Sequence, residues 1–222
     1  PLGDEEQFQR ALKTFRGVLK FIVALRKFGI KVRRITGPSC FVVGKPYEME
    51  WSERKVRMLR FYKKLAPDLK AAEVEVSIEL LRDKEDKAIQ TVGNWIDLID
   101  SLNVLKYGIF SAHFDTYHLR DRGFDLVAAV RLLGLRIQYL HVNGDGRLPA
   151  GAPGDCILWR EFLQALVDVG ITEITAAYEP FCAKVRNEFA ELGEGLPPPV
   201  DEPGGFATMK KNLTEFGVRL AA

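Results

Sequence analysis

Cysteine, histidine, net charge and long apolar runs are all scarce in this chain of 222 residues, and each scarcity excludes something. The three cysteines, Cys40, Cys156 and Cys182, are odd in number and show no CxxC spacing, so neither a disulfide framework nor a zinc knuckle is expected. A reducing, cytoplasmic setting is the expectation that follows. The formal net charge is only +2, too small to call for a polyanionic partner, so nucleic acid is not expected. No apolar stretch approaches the roughly 18 residues of a bilayer span, and Pro1-Leu2-Gly3-Asp4-Glu5-Glu6 is acidic rather than signal-like, so no membrane partner is expected either.

What is present is ordinary globular material, 47% hydrophobic and 28% charged, enough for one domain with a substantial core. Phe8, Leu12, Phe15, Leu19, Ile22, Val23 and Leu25 recur at helical intervals, which predicts a long amphipathic helix from Asp4, its N-cap, to Phe28, stopped by Gly29. A short strand over Val32 to Ile35, closed by Gly37-Pro38, precedes a helix capped by Ser52 and running through Leu65. Strands are then expected over Ala72 to Leu80, Tyr107 to Phe114, Ile137 to Val142 and Ile171 to Tyr178. Helices are expected over Lys87 to Leu102, Phe124 to Leu133 and Leu158 to Val169. Strands alternating with helices of this length form βαβ units and a parallel sheet.

After the last of these strands the rhythm breaks. Residues 183–205, rich in Gly and Pro, read as an extended loop, with a final helix from Phe206 to Leu220. Such a loop is either a lid over the active face of a barrel or a plain surface excursion. The pattern is that of an α/β protein of the (β/α)8 TIM-barrel class, a single domain over residues 1–222. Five strands with one unpaired helix in front fall three short of a closed barrel. The expectation is that the first three strands are missing before residue 1, come from another chain, or are absent from an open form.

Four short strings carry the chemistry: Ser77-Ile78-Glu79, His113-Phe114-Asp115-Thr116-Tyr117-His118, Tyr139-Leu140-His141-Val142 and Ala177-Tyr178-Glu179-Pro180-Phe181. Each lies at the C-terminal end of a β-like run, at intervals of 36, 26 and 38 residues from Glu79 to Asp115 to His141 to Glu179. These approximate the roughly 30-residue βαβ unit. Side chains at the C-terminal ends of successive parallel strands converge on the face where barrel enzymes keep their chemistry. Taken singly, each has an ordinary explanation: Asp115 caps a helix, His141 is a buried imidazole, the glutamates are strand-end surface residues. Taken together, two glutamates, an aspartate and a histidine make a hard, oxygen-rich ligand set that suits Mn²⁺, Mg²⁺ or Co²⁺ better than structural zinc.

Glu79, the FDTYH string from Phe114 to His118, His141-Val142 followed by Arg147, Trp159 opening the next helix, and Glu179-Pro180-Phe181 resemble the ketose 3-epimerases acting on D-tagatose and D-psicose. These belong to the xylose-isomerase-like barrels of sugar isomerases and epimerases. The resemblance runs from Asp4 onward and aligns the chain with the family's third helix through its eighth strand and helix. It implies a divalent metal, Mn²⁺ first, held by Glu79, Asp115, His141 and Glu179, and a small-molecule sugar or sugar derivative as substrate. Glu79 and Glu179 double as the acid and base that remove a proton beside a carbonyl and return one from the far side. His118 and Arg147 match positions that contact the carbonyl oxygen, and Glu85 one that orients the sugar's end. An oligomer, of this chain alone or with another, is the expected assembly.

The pocket loops depart from the family: Arg82-Asp83 replaces an Asn-Arg pair, Leu119-Arg120-Asp121-Arg122-Gly123 replaces an acidic run, and Asn143-Gly144-Asp145-Gly146 differs before Arg147. Arg82, Arg120 and Arg122 are either surface arginines or contacts for an anionic or glycosidic substrate. The same site also serves aldose-ketose isomerisation, inosose chemistry or C-glycoside cleavage, all of which begin by removing a proton beside a carbonyl. A repair enzyme of the endonuclease IV type would need more histidines for its zinc cluster than His113, His118 and His141. A non-catalytic barrel would not keep ligands at all four strand ends.

Overall fold

The computed structural model describes residues 3–38, 49–104, 108–179, 211 and 219–220. The chain divides into two compact units, Pro1–His113 and Phe114–Ala222.

The first unit begins with helix α1 (Glu5–Leu25), where the Asp4 carboxylate accepts the Gln7 amide as N-cap. A 3-10 turn over Arg26–Phe28 follows, and Gly29, at φ +77°, ends it in the left-handed conformation that glycine adopts without a Cβ penalty. Both ends thus match the sequence reading. Helix α1 buries Phe8, Leu12, Leu19 and Ile22, and Phe8 meets Phe61 of helix α2 (Trp51–Ala71) edge-on at 5.9 Å.

Two expectations for α2 are corrected. Its N-cap is Glu50, so Ser52 lies within the first turn rather than before it. The helix also passes Pro67 and ends at Ala71: its inner face, which includes Leu65, Ala66 and Leu69, is buried across the proline, and that burial outweighs the lost backbone bond.

Strands β1 (Arg34–Pro38), β2 (Glu75–Glu79) and β3 (Phe110–Asp115) pair in parallel, with Pro38 level with Glu79 and Glu79 level with His113. Gly37 and Pro38 belong to β1 instead of closing it. Among the described residues β1 pairs only with β2, and a strand edge tolerates the missing proline N–H. Helix α3 (Val92–Asn103) starts later than expected because Thr91, whose hydroxyl accepts the Asn94 amide, is the true N-cap. Ala88 and Ile89, which suggested earlier helix, are buried loop residues. Trp95 is fully buried, and its indole donates to the Ile78 carbonyl, one residue before Glu79. The buried Arg54 donates to the Lys87 carbonyl and to Gln90 Oε1, which ties down the segment after Glu79.

In the second unit, α4 (Thr116–Asp121) and α5 (Leu126–Leu133) follow β3 without an intervening strand. Strand β4 (Ile137–Val142) has the bounds its sequence predicts, and helix α6 (Trp159–Asp168) leads to β5 (Glu173–Tyr178). Strands β4 and β5 pair in parallel with His141 level with Ala177 and Val142 with Tyr178. Phe114 and Phe162 pack at 5.6 Å under these elements. A two-residue strand β6 (Arg219–Leu220) pairs in parallel with the start of β5, so the expected last helix does not reach Leu220. The rest of that helix, apart from Lys211, and the loop 183–205 lie outside the described residues. Among the described residues no helix is long and apolar enough to cross a membrane.

Candidate metal and active site

The site grows from two strand ends of the second unit. Asp115 is the last residue of β3 and the N-cap of α4, so the cap expected of it is present. Its Oδ1 accepts the amides of Tyr117 at 2.8 Å and His118 at 3.1 Å, while Oδ2 lies 3.4 Å from His141 Nδ1 and 3.4 Å from Arg147 Nη1. One oxygen serves the helix and the other faces the site. His141, the fifth residue of β4, sets Nδ1 3.1 Å from Glu179 Oε2. Glu179 follows the last paired residue of β5.

Thr116 locks the two ends together. Its buried hydroxyl donates to the Asn143 carbonyl at 2.6 Å and accepts the Asn143 amide at 2.9 Å. The Asn143 side chain in turn points at both Asp115 oxygens from 3.5 Å. Neither residue was singled out by the sequence reading, although both sit directly beside strand ends.

Arg147, 5% exposed, lies in a 3-10 turn after β4. Its Nη1 donates to Glu179 Oε2, and its guanidinium covers the Tyr117 ring at 4.5 Å. Its Nη2 lies 3.1 Å from His118 Nε2. Guanidinium has only donors, so His118 Nε2 is the acceptor and the imidazole is neutral with its proton on Nδ1.

The charges of this cluster are paired with one another. Burial lowers the pKa of His141, but its hydrogen bonds to Asp115 and Glu179 and their charges outweigh burial and hold it up to about 9. Burial raises the Glu179 carboxyl, and His141 and Arg147 more than reverse that, keeping it below its ordinary value.

Ligand atoms of Asp115, His141 and Glu179 all lie within 4.8 Å of one another. Two carboxylate oxygens and one imidazole nitrogen converging at this spacing fit a divalent cation with open positions left for other oxygens. The second unit therefore brings together Asp115, His118, His141, Arg147 and Glu179.

Glu79 and Glu85 belong to the first unit. Glu79, 6% exposed, ends β2, and its Oε2 lies 3.6 Å from Nδ1 of the fully buried His113. His113 is therefore both a packed core residue and a neighbour of a carboxylate. Glu85 sits in a turn well before α3 and accepts from Arg82 Nε at 2.5 Å. Arg120 is likewise taken up, by Asp145 at 3.1 Å, and this pairing raises its pKa. These two arginines behave as structural partners of carboxylates.

Comparison with known proteins places the fold. The family model described as "Xylose isomerase-like TIM barrel" matches residues 1–202. A D-psicose 3-epimerase of Enterocloster bolteae is 27% identical over 127 residues, which are 57% of this chain and 40% of that protein. The chain thus spans less than half the length of this curated relative. Among solved structures, an L-ribulose 3-epimerase superposes with a TM-score of 0.77 at 18% identity, covering 94% of this chain and 68% of the other. The D-psicose 3-epimerase of Clostridium cellulolyticum H10, solved with D-tagatose, gives 0.75 at 20% identity, covering 98% and 73%. By its fold and by the match over most of its length, the chain belongs to the xylose isomerase-like TIM barrel family.

Proposed function

We propose that this chain is a divalent-metal-dependent sugar epimerase or isomerase of the ketose 3-epimerase kind, with Mn²⁺ as its ion and Mg²⁺ or Co²⁺ as substitutes. The observation that carries the reading is the convergence of Asp115, His141 and Glu179 at strand ends, with Arg147 and His118 beside them. Asp115, His141, Glu179 and, from the first unit, Glu79 would hold the ion. Bound there, a divalent ion would supply Lewis-acid polarisation of a carbonyl and with it acidity at the neighbouring C–H.

The chain's own residues do the rest. Glu179 stays ionised at neutral pH beside Arg147 and His141, as a general base requires. Glu79 is its counterpart on the opposite sugar face, one carboxylate taking the proton and the other returning it. Inversion at carbon 3 of a ketose is the outcome that this pair produces. Arg147, whose Nη2 is oriented by the accepting His118 Nε2, supplies donors for the oxygen on which negative charge develops, in a cluster largely shielded from water. Glu85 orients the far end of the sugar.

The test is solvent deuterium incorporation into ketoses by the Mn²⁺-loaded protein. Exchange at the carbon beside the carbonyl is expected with the unaltered chain and abolished by both Glu79→Gln and Glu179→Gln. Undiminished exchange in the two variants refutes the acid-base pair.

A further inference from the structure

Arg147 has a backbone that an arginine does not choose. It stands at φ +62°, directly after Gly146 at the same angle. For a non-glycine residue this conformation costs on the order of 1 kcal/mol and persists only where surrounding bonds over-determine it.

Asp155 lies eight residues further along the same loop. Its Oδ1 accepts the Asp145 amide at 3.1 Å and the Ile157 amide at 3.1 Å. Its Oδ2 accepts the Gly151 amide at 2.7 Å and the Trp159 indole N–H at 2.5 Å. Asp145 answers by accepting the Cys156 amide and by pairing with Arg120 of α4. The turn between them is closed by Gly144 N–H to the Leu148 carbonyl at 2.7 Å and Leu148 N–H to the Asp145 carbonyl at 3.2 Å. The carboxylate is packed so close that a Cβ on Gly144 would stand 2.7 Å from Asp155 Cγ. Gly144 has an ordinary negative φ, so closeness to Asp155, not backbone strain, is what demands a glycine there.

We propose that Asp155 is a positioning residue: by gathering four donors of this loop it holds Arg147 in the left-handed turn that delivers its guanidinium to Asp115 and Glu179. The inference rests on the role given to Arg147 above. Charged acceptors for backbone N–H groups are among the stronger hydrogen bonds, and one carboxylate serving three amides and an indole fixes a loop that carries a single 3-10 turn. A small displacement of a group that contacts the reacting atoms is worth up to about 100-fold in rate.

The test combines variants. Asp155→Ala should slow deuterium incorporation into ketose by about 100-fold, with Asp155→Asn, which keeps one of the two accepting oxygens, falling between. Gly144→Ala should reproduce Asp155→Ala, and adding it to Asp155→Ala should cost little more, because the atom it strikes is gone. In an Arg147→Ala background, Asp155→Ala should have no further effect on rate. A loss as large in that background as in the unaltered chain overturns the proposal, as does an Asp155→Ala protein with unchanged rate.

Two readouts do not depend on turnover. Backbone hydrogen exchange over 143–158 should rise in Asp155→Ala, and the Arg147 Nε–H resonance, identified by its absence in Arg147→Lys, should shift or broaden. If no ketose exchanges at all, the functional reading has failed while these two measurements still decide the proposal: both unchanged refutes it.

Discussion

Asp115 performs two tasks with two oxygens, and substitution can separate them. In Asp115→Ala the amides of Tyr117 and His118, both in buried residues, lose their acceptor. Loss of an N-cap costs about 1 kcal/mol, and a second buried N–H left unsatisfied adds about 1–3 kcal/mol. A total of about 2–4 kcal/mol corresponds to a fall of roughly 5–15 °C in Tm for a chain of this size. Asp115→Asn behaves differently, since asparagine caps helices about as well as aspartate and its carbonyl oxygen can keep both amides. Its amide nitrogen would instead face Arg147 and His141, where a carboxylate oxygen now lies. Both variants lose that charge and in both Arg147 retains Glu179, so Asp115→Asn should be the more stable of the two by about the 2–4 kcal/mol of the two amides. Mn²⁺ affinity, however, should fall by at least about 100-fold in both variants, because a charged oxygen ligand is lost in each. Thermal unfolding in chelator and calorimetric Mn²⁺ titration measure the two effects separately. Equal destabilisation by Ala and Asn would refute the division of labour between the oxygens, and undiminished Mn²⁺ binding by Asp115→Asn would remove Asp115 from the ligands.

Thr116→Val deletes a hydroxyl that both donates to and accepts from the Asn143 backbone. It should cost about 2–4 kcal/mol by thermal or denaturant unfolding, whereas Thr116→Ser should lose under about 1 kcal/mol; a Val variant as stable as the parent would show that this lock is idle. The metal-free protein should also show a pH signature. His141 titrates near 9 when folded against 6.5 as the reference value, so its contribution is fully present below about 6.5 and is lost as the pH rises through about 9. Unfolding measured from pH 6 to 10 should show this decline and His141→Gln should lack it. For the same reason Mn²⁺ binding at pH 7.5 should release close to one proton, read by calorimetry in buffers of different ionisation enthalpy. Binding without proton release would contradict the His141 assignment.

The parts of this fold that were legible in the sequence are those governed by local rules. Asp4 and Gly29 bracket α1 through a side-chain cap and a left-handed stop, and Ile137 to Val142 alternates as a half-buried strand does. Where burial replaced periodicity the reading slipped: Ala88 and Ile89 extended the apparent helix upstream of Thr91, and the inner face of α2 carried it past Pro67. Asp115, His141 and Glu179 could be found because strand ends in a parallel sheet converge by topology. Thr116, Asn143 and Asp155 could not, since their roles lie in hydrogen bonds to backbone groups up to 27 residues away, and nothing in residue type announces such a partner. Arg147 was visible as a residue, but its left-handed backbone and its dependence on the loop around it were not.

Under the proposed function a divalent ion binds Asp115, His141 and Glu179, with Glu79 as a fourth ligand. Anomalous diffraction at the manganese edge from crystals grown with Mn²⁺ tests it most directly. The account predicts one peak bonded to Asp115, His141, Glu179 and Glu79 at roughly the 2.0–2.2 Å typical of hard ligands; no peak there, or a peak without the two glutamates, contradicts it.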